Sequence, residues 1–216
     1  NFYTAPAVVL PAYWPISAQP VVPEELDGQL QEYLRQHRTL WLILTAQDEV
    51  DKGEFVPKYL RAVSFPADCQ SWLDVILCQF LSPHFVSPTH QIAPQARWQN
   101  ELELQQATVA LTQEPGAVRY LLVTLHWQAS RQPTLDYRVT LRLVDQAGQV
   151  IQQRDDFPIG DLLPPTTWGA GDEKPGYMAL PLPAGLAPGV YTINLGLYDP
   201  ATVALIPYSQ PAAPGP

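Results

Sequence analysis

Between Tyr120 and Tyr198, apolar side chains recur at every second position. Over 120–128, Leu121, Val123, Leu125 and Trp127 share one face. Over 136–144, Tyr137, Val139, Leu141 and Leu143 do so, with Arg138, Thr140 and Arg142 opposite. Over 190–198, Tyr191, Ile193, Leu195 and Leu197 do so, with Thr192 and Asn194 opposite. One dry face and one wet face per strand predicts antiparallel sheets packed over a shared core. Turn signals punctuate the runs at Glu114-Pro115-Gly116, Gln146-Ala147-Gly148, Ala187-Pro188-Gly189 and Asp199-Pro200. The spacing predicts an immunoglobulin-like β-sandwich of about seven strands over 94–209. Within it, Leu186-Ala187-Pro188-Gly189-Val190-Tyr191 has the form of a tyrosine corner, in which the hydroxyl bonds back to upstream backbone.

The first half has a different period. Leu26, Leu30, Tyr33 and Leu34 recur at helical spacing. Glu24, Glu25 and Asp27 lie in the first turn, and Arg35, His37 and Arg38 at the far end, as a helix dipole favours. Leu40 to Leu44 is a short continuous apolar run, the pattern of a strand buried on both faces of a parallel sheet. Asp51-Lys52-Gly53-Glu54 reads as a helix cap before Phe55, Tyr59 and Leu60, and Pro57 fits only the first turn. A second extended region runs from Leu73 to Leu81. Helix, strand, helix, strand predicts a small α/β layer, a partial doubly wound unit. The expected division is therefore α+β in two parts: 1–93 as a small α/β domain that ends in a Pro-rich linker (over 82–98), 94–209 as the sandwich, and 210–216 as a flexible tail. Residues 1–22 are Pro- and aromatic-rich (Phe2, Tyr3, Tyr13, Trp14), with one extended run at Ala7 to Leu10.

Composition narrows the function classes. The chain has 216 residues, with 12 Lys+Arg against 21 Asp+Glu, a net charge of −9. An acidic chain without a basic cluster is a poor partner for nucleic acid or anionic headgroups. Twenty-four prolines argue against long helices. Leu40 to Leu44, the longest apolar stretch, is too short to span a bilayer. The chain starts at Asn1 and its only Met is Met178, which reads as a processed or excised piece. Between Cys69 and Cys78, the segment Gln70 to Asp74 can form a turn joining two extended segments, so a cross-hairpin disulfide and a pair of buried free thiols are both open. The four histidines are scattered, and no metal site or cofactor is expected.

The candidate chemistry lies in the loops of the second half. Asp155, Asp156 and Asp172, with Asp161, supply carboxylates for acid–base work or calcium; the alternative is that Asp155 and Asp156 bond loop amides and pair with Arg154 or Arg142. Trp168, between Thr167 and Gly169, is either a stacking platform for a sugar ring or a plug for the end of the sandwich. Tyr177 and Tyr198 are candidates for a surface. The acids Asp48, Glu49 and Asp51 fit a solvated turn better than a ligand site. No phosphate loop, nucleophile elbow or zincin helix is present, and no catalytic residue is assigned.

These motifs stand in a fixed order: Leu125-His126-Trp127, Asp136-Tyr137-Arg138-Val139, Leu143-Val144-Asp145, Arg154-Asp155, Pro165-Thr166-Thr167-Trp168, then Leu186 to Asp199. The string resembles the soluble C-terminal sandwich of bacterial polytopic membrane proteins of the dolichyl-phosphate-mannose-type glycosyltransferase class. Leu40 to Thr45, Asp51 to Leu60 and Trp72 to Phe80 are similar to the α/β segment that precedes it there. The resemblance implies an extracytoplasmic, non-catalytic accessory region, tethered to the membrane only through a segment outside this chain. In such a domain the matched positions Asp155, Trp168, Asp172, Tyr191 and Asp199 are most simply structural. A glycan or lipid-linked sugar is the expected partner if one is bound, and the loop reading leaves Trp168, Asp155, Asp156, Asp172 and Tyr177 as the ligand-binding candidates. A cell-surface protein-interaction module and an independent carboxylate-based hydrolase are the alternatives.

Overall fold

The computed structural model describes residues 23–44, 51, 53–112 and 118–210. The aromatic-rich opening, Asp48 and Glu49, the Glu114-Pro115-Gly116 turn and the tail beyond 210 lie outside the described residues.

Helix α1 (Pro23–Gln36) buries Leu26, Leu30 and Leu34, the helical-period residues. Strand β1 (Thr39–Leu44) follows. Helix α2 (Phe55–Val63) is capped from the preceding loop, as Asp51 accepts the backbone N–H of Phe55 at 2.8 Å and of Val56 at 2.9 Å. Strands β2 (Phe65–Trp72) and β3 (Val75–Leu81) form a hairpin joined across its ladder by a Cys69–Cys78 disulfide. The cysteines are thus bonded rather than free.

The expectation of a parallel, doubly wound unit is corrected here. The three strands form an antiparallel sheet in the order β1-β3-β2. Only one face meets the helices: Leu40, Leu42, Ile76, Cys78 and Phe80 pack on α1 and α2. The alternate residues Trp41 and Ile43 turn away and are exposed. The apolar run therefore marks a helix-facing side and an open side rather than burial on both.

Residues 90–210 form the immunoglobulin-like sandwich. One sheet contains β10 (Glu173–Pro181), β7 (Tyr120–Ala129), β6 (Leu102–Leu111), β5 (Ala96–Trp98) and β12 (Tyr208–Ser209) in that order, with β4 (His90–Ile92) also on β6. The other holds β11 (Thr192–Tyr198), β8 (Arg138–Val144) and β9 (Val150–Asp156). Among the described residues nine strands stand where about seven were expected, because β4, β5 and β12 are too short to show alternation. Two of them, β4 and β5, of three residues each, lie within the Pro-rich stretch read as linker. Between the sheets, Leu121, Val123, Leu125 and Trp127 meet Val139, Leu141, Leu143 and Leu197. The tyrosine corner is present, with the Tyr191 hydroxyl donating to the Ala187 carbonyl at 2.7 Å.

The two halves are packed together. Phe65 and Ala67 of β2 cover the outer face of the larger sandwich sheet at Ala110, Tyr120, Leu122 and Ala179. Arg154 reaches across to donate to the carbonyls of Pro66 at 2.6 Å and Ala179 at 3.1 Å. Gly160, at φ +75°, lets its turn touch the backbone of Arg61 and Ala62.

Candidate functional site

The five loop and strand candidates do not converge. Asp155 and Asp156 are consecutive on β9, so their side chains point to opposite faces. Asp155 is exposed and accepts from Gln153 at 2.7 Å. Asp156 pairs with Arg154 at 3.4 Å and accepts the Phe157 amide. Asp172 closes its own loop: the Gly169 amide and then the Lys174 ammonium hold its carboxyl below the usual range. Asp161 pairs with Arg61 at 3.2 Å. Among the described residues, no group of three His, Cys, Asp or Glu side chains is placed to hold a metal.

Trp168 as a sugar platform is corrected. The residue is 1% exposed, packs in the sandwich core, and donates its indole N–H to the Leu163 carbonyl at 2.9 Å. The loop turns the ring inward because a large apolar surface and one donor are both satisfied there. Tyr177 as a surface ligand residue is corrected too. It packs edge-on against Phe65, 5.1 Å between ring centres, in the junction core, and burial raises its pKa.

An open cleft lies instead where the small sheet meets the sandwich, with a volume of about 290 Å³. Its floor is the helix-free face of β1 and β3, at Thr39, Gln79 and Leu81. The Pro83–Phe85 3₁₀ turn and the residues after it supply Phe85, Val86 and Ser87, and the sandwich supplies Leu111, Thr112, Val118 and Tyr120. Ser82 builds this corner: its hydroxyl donates to the Leu34 carbonyl at 2.6 Å and accepts the His84 amide at 3.2 Å. The Tyr120 hydroxyl reaches the Gln79 amide oxygen at 3.4 Å. Burial, and then the charge of Asp68, raise the Tyr120 pKa, so the phenol keeps its proton. Arg38 lies over the Phe85 ring, 5.4 Å from its centre.

The floor continues outward along the same sheet face. Trp41 stands opposite Gln79, and Ile43 opposite Leu77. Trp41 is 57% and Trp72 53% exposed, and Leu73 at the hairpin apex is fully exposed with φ +51°. Cleft and apron together are assembled from positions about 40 and 80 residues apart, so no local motif announces them. The one trace in the sequence is on β7, where Tyr120 and Leu122 place apolar groups on what alternation marks as the wet face.

No family model and no curated protein matches the chain. Among solved structures, a calcium-binding mutant of beta-glucuronidase 2 from Bacteroides uniformis is similar over 63% of this chain and 15% of that one, at 12% identity and a TM-score of 0.36. The variable (V) domain of the AgI/II polypeptide BspA of Streptococcus agalactiae is similar over 74% of this chain and 88% of that one, at 9% identity and a TM-score of 0.21. The chain spans less than a sixth of the glucuronidase.

Proposed function

We propose that this chain is a non-catalytic, extracytoplasmic accessory module of a glycosyltransferase-like membrane protein, and that it binds or positions glycan in the junction cleft. The cleft carries this reading. It is concave, half polar and half apolar in its lining residues, and sits between two packed layers, the usual setting of a small-ligand site. Two further features support the reading. The carboxylates Asp156 and Asp172 have local partners rather than a shared cleft, which weighs against a hydrolase. The Cys69–Cys78 disulfide suits an oxidising compartment. The test is an oligosaccharide titration followed by amide and side-chain NMR shifts. Shifts should gather at Gln79, Ser87 and Tyr120, and Gln79→Ala should weaken them about tenfold, the loss of one or two hydrogen bonds. A spectrum unmoved by every oligosaccharide at millimolar concentration rejects the reading.

The exposed run of Trp41, Ile43, Trp72 and Leu73 favours a second reading, a cell-surface protein-interaction module. In that case capture of a partner from native membranes should be lost on Trp72→Ser with Leu73→Ser, while oligosaccharides leave the spectrum unchanged.

A further inference from the structure

We propose that the junction cleft is selective for acidic glycans, seating the carboxylate of one sugar on Arg38 and the next ring on the face of Trp41. This rests on the glycan reading above and adds the class of ligand.

The first observation is one of sign. The chain carries a net charge of −9, yet the residues lining the cleft include Arg38 and no Asp or Glu. Among the described residues the Arg38 guanidinium has no carboxylate and no hydrogen-bond partner. Six of the other eight arginines hold such a partner: Arg35, Arg61, Arg97, Arg131, Arg142 and Arg154. Of the rest, Arg138 lies over the Phe157 ring, and neither it nor Arg119 lines the cleft. Arg38 is exposed and lies over the Phe85 ring, 5.4 Å from its centre, which leaves its N–H donors free to face a ligand. A planar fork of N–H donors beside open space matches a carboxylate in two parallel bonds. One acid borders the cleft: Asp68, across the ladder from Gln79, whose charge acts on Tyr120 and whose carboxylate accepts from Gln70 at 3.0 Å.

The second observation is the neighbourhood of that charge. The Gln79 amide oxygen accepts from Tyr120, which leaves the Gln79 amide N–H groups to donate. Thr39 and Ser87 add hydroxyls. Trp41 is directly across from Gln79 and two residues from Thr39 on the same face. An exposed indole beside amide and hydroxyl groups offers a flat apolar surface for sugar C–H bonds and partners for sugar hydroxyls. An aliphatic anion would leave those polar groups unmatched, and a bare phosphate would leave the indole unused.

The probes are trigalacturonic acid, its fully methyl-esterified form and a hyaluronan tetrasaccharide, titrated calorimetrically into the intact chain. The free acids should bind at least about tenfold tighter than the ester, and added salt should weaken the acids alone. Arg38→Gln should abolish the difference and leave the ester unchanged, whereas Trp41→Ala should weaken acid and ester alike. Arg38→Lys keeps the charge without the fork and should restore part of the preference. Equal binding of acid and ester by the unmutated chain overturns the acidic preference and leaves the glycan reading standing. Failure of all three probes at millimolar concentration overturns both. The comparison of acid with ester needs no variant, so a poorly folding mutant does not blunt it.

Discussion

Glu101 is 1% exposed, and a carboxylate so placed is costly unless its oxygens are used. They are: Tyr137 donates its hydroxyl, Thr134 its amide at 3.1 Å and its hydroxyl at 3.0 Å, and Arg131 a guanidinium N–H at 3.0 Å. Burial pushes the Glu101 pKa up, but the bonds from Tyr137 and Thr134 outweigh it and hold it below the ordinary value. A lowered folded-state pKa stabilises above the unfolded value and is lost as pH falls through the folded one. Urea unfolding should therefore show Glu101→Gln weaker by about 2–3 kcal/mol near neutral pH, with the gap closing in acid below the ordinary carboxylate range. A constant gap across that range would contradict the account. Residues differ in how openly they declare such roles. Tyr191 was plain from sequence because its partner Ala187 is four residues away, after a Pro-Gly turn. Trp168 was not, since a loop of Thr, Trp and Gly has the same composition whether its indole points out or in. Glu101 gave no sign at all, because its partners lie 30 or more residues on.

At the level of the element, periodicity located the α1 helix and the long sandwich strands, where one face is uniformly apolar. It failed at β2. Pro66 and Asp68 interrupt the pattern there, and the ladder shifts register between them, so the strand carries no clean alternation. It also mistook β1, whose apolar residues serve two different neighbours: the helices on one side and the cleft's outer apron on the other. The β2–β3 hairpin owes its definition to the Cys69–Cys78 bond, which closes a loop of sequence separation 9. Replacing both cysteines by serine should cost about 2–3 kcal/mol on the chain-entropy view. Reductant should lower the unfolding free energy of the parent chain by a similar amount and leave the double variant unmoved. If reductant shifts both equally, the bond is not the cause.

The molecule is stacked in layers: helices, the small sheet, the larger sandwich sheet, then the smaller one. Three apolar cores lie between them, and the middle one joins what composition divides. A Pro-rich stretch resembles a hinge in sequence, but the apolar outer face of β7 and β10 requires a cover, and β2 supplies it. Gly160 shows how close the packing is, for a Cβ there would press on the backbone of Arg61 and Ala62. The halves should melt as one unit. Phe65→Ala, at the middle core, should lower the single transition by about 3–4 kcal/mol and move near-UV and far-UV signals together. Two separated transitions in the parent chain would refute it. The five tryptophans among the described residues divide along the same layers. Trp98, Trp127 and Trp168 are sealed in the sandwich, whereas Trp41 and Trp72 stand in water on the face that carries the cleft. Among these five, an aqueous quencher therefore dims the pair on the cleft side and leaves the interior three untouched, giving that surface a built-in optical label.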